Sequence, residues 1–110
     1  MQLDLIVAEW NANGISNHVN EVEIFLKSKC IDIFLISESH LTSKSFIRIR
    51  GYDIITANQP DDRAHAGAAI IIKSSIKYEI TEPINESFLQ AAGVKITCNN
   101  SSVLIYSIYS

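Results

Sequence analysis

The chain has 110 residues, of which 47% are hydrophobic and 19% are charged. Nine Lys and Arg residues against twelve Asp and Glu residues give a formal net charge of −3 at pH 7. The hydrophobic content excludes an intrinsically disordered tail, and the acidic balance excludes a basic protein that binds nucleic acid through a large cationic excess. The length fits one domain or part of one.

The amino-terminal residues and the cysteines favour an intracellular protein, nuclear or cytoplasmic and not secreted. The chain begins without a basic segment and reaches Asp4 and Glu9 early, which is not typical of a signal peptide. No apolar stretch approaches the roughly 20 residues that a membrane helix needs, so we expect no membrane contact. Cys30 and Cys98 are the only cysteines, and we expect two reduced thiols rather than a disulfide.

The first 36 residues predict a β-α-β unit. Residues 3–10 are mostly apolar and predict a largely buried strand, and Asn17 is a candidate helix cap. Val19, Val22, Phe25 and Leu26 then form one apolar stripe of an amphipathic helix. Residues 31–36 predict a second buried strand. In such a unit, functional residues are expected at the carboxyl ends of the strands.

The remaining residues predict β-structure only. Strands are expected at residues 52–57, 68–73, 88–97 and 103–109, and residues 76–80 are expected to form a hairpin with the strand before them. The polar turn at residues 98–101 joins the last two strands. The sequence therefore predicts an α+β fold, a β-α-β start followed by an antiparallel meander.

Polar residues follow both strands of the β-α-β unit. Asn11 and Asn13 come after the first strand, and Glu38 comes after the second. A single carboxylate with neutral amides nearby suits Mg²⁺, which keeps most of its waters and takes few protein carboxylates. On spacing alone, the alternative is that Asn11 and Asn13 only form the turn and Glu38 is a solvated loop residue.

A set of short motifs extends this pattern over the whole chain. They are Ala8-Glu9-Trp10-Asn11-Ala12-Asn13-Gly14-Ile15, Ile31-Asp32-Ile33-Phe34-Leu35-Ile36-Ser37-Glu38-Ser39-His40, Gly51-Tyr52, Arg63-Ala64-His65-Ala66-Gly67-Ala68-Ala69-Ile70-Ile71-Ile72-Lys73, Phe88-Leu89-Gln90-Ala91 and Ile105-Tyr106-Ser107-Ile108-Tyr109. In this order they resemble the amino-terminal half of the endonuclease/exonuclease/phosphatase superfamily, and in particular the endonuclease domains of jockey-type non-LTR retrotransposons. The resemblance implies the amino-terminal half of a four-layer α/β/β/α sandwich, with residues 1–110 as a partial domain.

The resemblance also implies a chemistry. Members of this superfamily hydrolyse phosphate esters with Mg²⁺ or Mn²⁺, and the retrotransposon branch nicks target DNA. By position, Asn11, Glu38 and Tyr109 match catalytic residues, and Glu38 also matches the metal ligand. Asn13 and Arg63 match positions that would orient the phosphate.

The same resemblance predicts an incomplete site. The family's Asp-x-Asn segment, its later aspartates and its catalytic histidine would lie beyond Ser110, so we expect the 110 residues to be inactive alone. We expect a reverse transcriptase region in the same polyprotein, and an inner sheet face left without a partner. Two alternatives stay open. The first is a degenerate transposon-derived remnant without catalysis, and the second is a phosphatase of the superfamily acting on a phosphoester other than nucleic acid.

Overall fold

A computed structural model describes residues 4–58, 60–61 and 65–110. Within these ranges the chain forms one α-helix, preceded by a 3-10 turn at Ser16–His18, and eight strands. The elements, in chain order, are β1 (Val7–Asn11), α1 (Val19–Ser28), β2 (Ile33–Ser37), β3 (Tyr52–Ala57), β4 (Ala68–Lys73), β5 (Glu79–Ile80), β6 (Ile84–Glu86), β7 (Leu89–Cys98) and β8 (Ser101–Tyr109). No helix of these ranges is long and apolar enough to cross a membrane.

The first sheet has the strand order β1-β2-β4-β3. Strands β1 and β2 are parallel and are joined through α1, which confirms the predicted β-α-β unit. Strand β4 is antiparallel to both of its neighbours. Strands β3 and β4 have the bounds that the sequence predicts. Strand β4 is apolar up to Lys73, and β3 is rich in β-branched and aromatic residues.

The second sheet is built around β7. Strand β8 pairs with β7 in an antiparallel hairpin from Gln90↔Tyr109 to Cys98↔Ser101. The short strands β5 and β6 are also antiparallel to β7, and they share its opposite edge. The turn between β7 and β8 places Asn99 and Asn100 in the left-handed conformation, which asparagine tolerates better than most residues.

Two apolar clusters cover the two faces of the first sheet. On one face, Val22 and Leu26 of α1 pack against Phe34, Ile36 and Ile71. On the other face the two sheets pack against each other. This second cluster contains Ile33, Ile55, Ala57, Ile70, Ile72, Ala92, Val94 and Ile96. The described residues therefore form three layers, a helix, a sheet and a second sheet, which confirms the α+β class.

Three details of the amino-terminal half differ from the sequence-based predictions. Strand β1 begins at Val7, and most of it is exposed rather than buried, because it is the edge strand of its sheet. Asn17 does not cap α1, since it lies in the 3-10 turn and the residue before the helix is His18, which has no side-chain capping bond. Cys30 is a free thiol, as predicted, and it is exposed. The side chain of Cys98 lies outside the described part.

Two further predictions are wrong, one about residues 76–80 and one about the inner face of the first sheet. Residues 76–80 do not form a hairpin with β4, because both edges of β4 are already paired with β2 and β3. Only Glu79–Ile80 is a strand, and it pairs with β7 of the second sheet. The inner face of the first sheet is not left uncovered, because the chain contains strands of both sheets.

Candidate active site

The loops after β1 and β2 remain paired beyond the ends of the strands. Three backbone hydrogen bonds join them: Ala12 N–H to Ser37 O at 2.9 Å, Gly14 N–H to Glu38 O at 2.9 Å, and Ile15 N–H to Ser39 O at 3.1 Å. These bonds fix the two loops that carry Asn11, Asn13 and Glu38 relative to each other.

Left-handed backbone conformations cluster in the same loops. Asn13, Glu38 and His40 have φ angles of 46°, 52° and 56°. Each such residue other than glycine costs on the order of 1–3 kcal/mol, and such strain is concentrated at functional sites. Glu38 therefore has a strained backbone conformation, which the hydrogen bonds between the two loops stabilise.

A polar cleft lies between β1 and β8, the edge strands of the two sheets. Its volume is about 410 Å³, and its lining includes Asn11, Ser37 and Ser107. Glu38 follows Ser37 directly in the chain. The cleft therefore has Asn11 in its wall, and Glu38 is the residue after the wall residue Ser37 in the chain.

Tyr109 reaches the same end of the molecule from the second sheet. Ser107, two residues earlier on β8, donates a hydrogen bond of 2.7 Å from its hydroxyl to the backbone carbonyl of Ile36 on β2. Tyr109 is half-buried and is the last residue of β8. The structure thus brings Asn11, Glu38 and Tyr109 to one end of the sandwich, from three different strands or strand ends.

Glu38 lies beside His40. The Nε2 of His40 is 4.0 Å from the Oε1 of Glu38, and the side chains are 24% and 28% exposed. This distance is too long for a direct hydrogen bond, and the 28% exposure of the Glu38 side chain leaves its carboxylate accessible. Gly14 makes room for the ring, because a Cβ at this residue would lie 3.1 Å from the Nδ1 of His40.

The donor set fits a hydrated metal ion rather than a closed metal cage. Among the described residues, no group of three or more His, Cys, Asp or Glu side chains could hold a metal ion. A single accessible carboxylate is nevertheless enough for Mg²⁺, which keeps several waters and takes its other ligands from substrate phosphate. Glu38 fits this requirement.

The two other predicted site residues are Asn13 and Arg63. Asn13 is exposed in the loop after β1, next to Gly14, whose N–H donates to Glu38 O. Arg63, the second phosphate-positioning candidate, lies outside the described residues.

Sequence reasoning gave no role to Gln90 or to Ser107, although both are polar residues in otherwise apolar strand segments and both are buried. That contrast is the signal by which they could have been found.

Known proteins resemble this chain both in sequence and in fold. The RNA-directed DNA polymerase from the mobile element jockey of Drosophila melanogaster is 31% identical over 108 residues, which are 98% of this chain and 12% of that protein. The probable RNA-directed DNA polymerase from the transposon X-element of the same organism is 32% identical, over 97% of this chain and 12% of its own length. No protein-family model matches the chain.

Two solved structures of AP endonucleases share the fold. The enzyme from Leishmania major matches with a TM-score of 0.70 at 12% identity, over 92% of this chain and 38% of that one. The enzyme from Archaeoglobus fulgidus matches with a TM-score of 0.62 at 18% identity, over 92% of this chain and 40% of its own. The chain shares the fold of these two AP endonucleases. Its homologues at about 30% identity are jockey and X-element retrotransposon polymerases, and the chain spans 12% of their length.

Proposed function

We propose that this chain forms the amino-terminal part of a Mg²⁺-dependent (or Mn²⁺-dependent) DNA endonuclease domain of a jockey-type non-LTR retrotransposon. The observation that supports the proposal is a polar cleft between the edge strands of the two sheets, which Asn11, Ser37 and Ser107 line. Glu38 follows Ser37 directly in the chain, and Tyr109 lies two residues after Ser107 on β8. A reverse transcriptase region in the same polyprotein is part of the proposal. Its support is that the relatives are RNA-directed DNA polymerases of which the chain spans 12%.

Each residue has a proposed role that follows from its chemistry. The carboxylate of Glu38 would hold the metal ion, which supplies neutralisation of phosphate charge when it is bound. The amide of Asn11 can donate a hydrogen bond to a phosphate oxygen without adding negative charge. The hydroxyl of Tyr109 can donate to the same phosphate from the opposite sheet, and Asn13 and Arg63 would help to orient it.

We expect the 110 residues to bind metal and DNA weakly and not to cleave DNA. The wall of the cleft holds the carboxylate of Glu9, and Glu38 has His40 as its neighbour. Among the described residues, no group of three or more His, Cys, Asp or Glu side chains could hold a metal ion. Each missing general acid or base typically lowers the rate by about 10²–10⁴-fold. Binding and cleavage are therefore separate predictions for this chain.

The test is a titration of the ¹⁵N-labelled chain with a short DNA duplex in the presence of Mg²⁺, together with a plasmid-nicking assay. The proposal predicts amide shift changes at Asn11, Asn13 and Tyr109 that depend on Mg²⁺ and are lost in Glu38→Gln. It also predicts no nicking. Glu38-dependent nicking would show that the chain is active alone and would refute only the prediction of inactivity.

The remaining outcomes identify the other functions. Shift changes induced by inositol phosphates but not by DNA would favour a phosphatase that acts on another phosphoester. If neither ligand perturbs the three residues at any Mg²⁺ concentration, the chain is a remnant without this function and the proposal is wrong.

A further inference from the structure

Gln90 is a buried amide whose two ends bind different parts of the chain. It is only 1% exposed, although it is a polar residue between the apolar residues Leu89 and Ala91 on β7. The N–H of Gly67 donates a hydrogen bond of 2.9 Å to its Oε1. Its own Nε2 donates a bond of 2.7 Å to the backbone carbonyl of Glu86. Gln90 is thereby satisfied at both ends and locked in one orientation.

The Gly67 end of this link leads to Glu38. The carbonyl of Gly67 accepts a 3.2 Å hydrogen bond from Ser39 N–H, and the carbonyl of Ala66 accepts a 2.8 Å bond from His40 N–H. These bonds continue the antiparallel pairing beyond the end of β2 and before the start of β4. The segment at Ala66 and Gly67 therefore holds the two residues that immediately follow Glu38.

The packing around Gly67 leaves this segment little freedom. Gly67 has a φ of +87°, and a Cβ at this residue would lie 2.8 Å from the Oγ of Ser39. Ser39 is fully buried, and its hydroxyl has no hydrogen-bond partner within the described part of the chain. The loop after β2 thus rests directly on the glycine that Gln90 anchors.

The other side of Gln90 leads to Tyr109. Gln90 and Tyr109 are direct cross-strand partners in the β7–β8 pairing. Side chains of such partners lie on the same face of the sheet, with Cβ atoms about 4.5–5.5 Å apart. The orientation of Gln90 therefore limits the space available to the Tyr109 side chain.

We infer that Gln90 is a positioning residue, which sets the location of Glu38 relative to Tyr109. It does so by joining the segment at Ala66 and Gly67, directly before β4 of the first sheet, to β7 of the second sheet. The inference rests on the proposed function for its purpose, because Glu38 and Tyr109 are the metal and phosphate residues of that proposal. Gln90 itself contacts neither metal nor substrate. Its effect passes through Gly67 and Ser39 on one side and through strand pairing on the other.

The experiment compares Gln90→Met with Gln90→Glu in the ¹⁵N-labelled chain. Methionine keeps the length of the side chain but removes both hydrogen bonds. Glutamic acid keeps the acceptor for Gly67, and at about pH 5.5 burial keeps the introduced carboxyl protonated, so that it can also donate to Glu86. The matched control is Ser107→Ala, which removes a different buried hydrogen bond between the sheets and leaves Gly67 untouched.

The first readout is amide hydrogen exchange, with Val94 as the reference for global opening. In Gln90→Met we expect the Gly67 amide to exchange about tenfold faster relative to Val94, since it loses its acceptor. The ratio should return in Gln90→Glu and stay unchanged in Ser107→Ala. Equal acceleration at Gly67 and Val94, or no rescue by glutamic acid, would overturn the inference.

The second readout is the broadening of amide signals by Mn²⁺. We expect Gln90→Met to retain broadening at Glu38 but to change its strength at Tyr109, because the two residues are no longer held at one separation. Unchanged broadening at Tyr109 would contradict the inference. If Mn²⁺ broadens no signal at Glu38 in the unsubstituted chain, the proposed function fails, and the exchange ratios still decide the role of Gln90.

Discussion

The hydroxyl of Ser107 and the backbone carbonyl of Ile36 form a hydrogen bond of 2.7 Å between the two sheets. Glu38 lies two residues after Ile36, and Tyr109 lies two residues after Ser107. The bond therefore joins β2 and β8 at positions two residues before Glu38 and Tyr109, the candidate active-site residues. It fixes the ends of β2 and β8 against each other at the polar cleft.

Replacement of Ser107 by alanine tests the strength of this contact. Ser107 is 4% exposed, and loss of one buried hydrogen bond should lower the free energy of unfolding by about 1 kcal/mol. Urea denaturation measures the change. The matched control is Ser102→Ala on the same strand, where the exposed hydroxyl is 3.2 Å from that of Thr97 and the cost should stay within about 0.5 kcal/mol. Equal losses in the two variants would contradict the interpretation.

Alanine at Gly67 tests the contact of the two loops behind Glu38. Gly67 and Gly51 both have a φ of +87°, but a Cβ at Gly51 meets no atom within 4 Å. Gly51→Ala should therefore cost about 1 kcal/mol from backbone strain alone. Gly67→Ala should cost more, by about 1–3 kcal/mol, because the Cβ also displaces Ser39. Thermal and urea unfolding of both variants give the difference, and the account is wrong if Gly51→Ala is the more destabilised.

Alkaline pH should weaken the fold through two tyrosines. Burial, followed by the hydrogen bond that its hydroxyl donates to Asp53, raises the pKa of Tyr78 from 10.0 to about 12. Burial also raises the pKa of Tyr52. Because the folded pKa of Tyr78 lies above the unfolded one, its contribution is complete below pH 10 and is lost as the pH rises from 10 to 12.

Urea unfolding between about pH 8 and pH 11 checks this dependence. Tyr78→Phe should be less stable than the unsubstituted chain at the lower pH, since the bond to Asp53 is gone, and its stability should fall less steeply above pH 10. Tyr52→Phe should remove only its own share of the slope. A Tyr78→Phe variant with the full alkaline slope would show that Tyr78 does not titrate in this way.

Local sequence determined much of the first sheet and less of the second. Strand β4 was predictable because it is apolar up to Lys73, and β3 because it is rich in β-branched and aromatic residues. The β-α-β unit followed from two apolar segments and the helical spacing of apolar residues between them. The exposure of β1 was not predictable, because burial of a strand depends on which neighbour covers it. The pairing of β5 with β7 was missed for a similar reason, since a two-residue strand is defined by its partner.

The candidate site was also only partly predictable from local sequence. The positions of Asn11 and Glu38 at adjacent strand ends follow from the β-α-β pattern, whereas the placement of Tyr109 came only from the family resemblance. The bond between Gln90 and Gly67 joins residues 23 apart in the chain, and no local pattern predicts it. The left-handed conformation of Glu38 was equally hidden, because it depends on bonds to the neighbouring loops.

The most direct test of the proposed site is the location of Mn²⁺ on the chain. In a titration of the ¹⁵N-labelled protein, the account predicts that broadening is centred on Glu38 and its paired loop at Gly14, and that Glu38→Gln abolishes it. Glu9→Gln is the matched control, because Glu9 is a carboxylate in the wall of the same cleft and its removal should leave the broadening in place. Broadening centred on another carboxylate, or broadening that survives Glu38→Gln, would contradict the account.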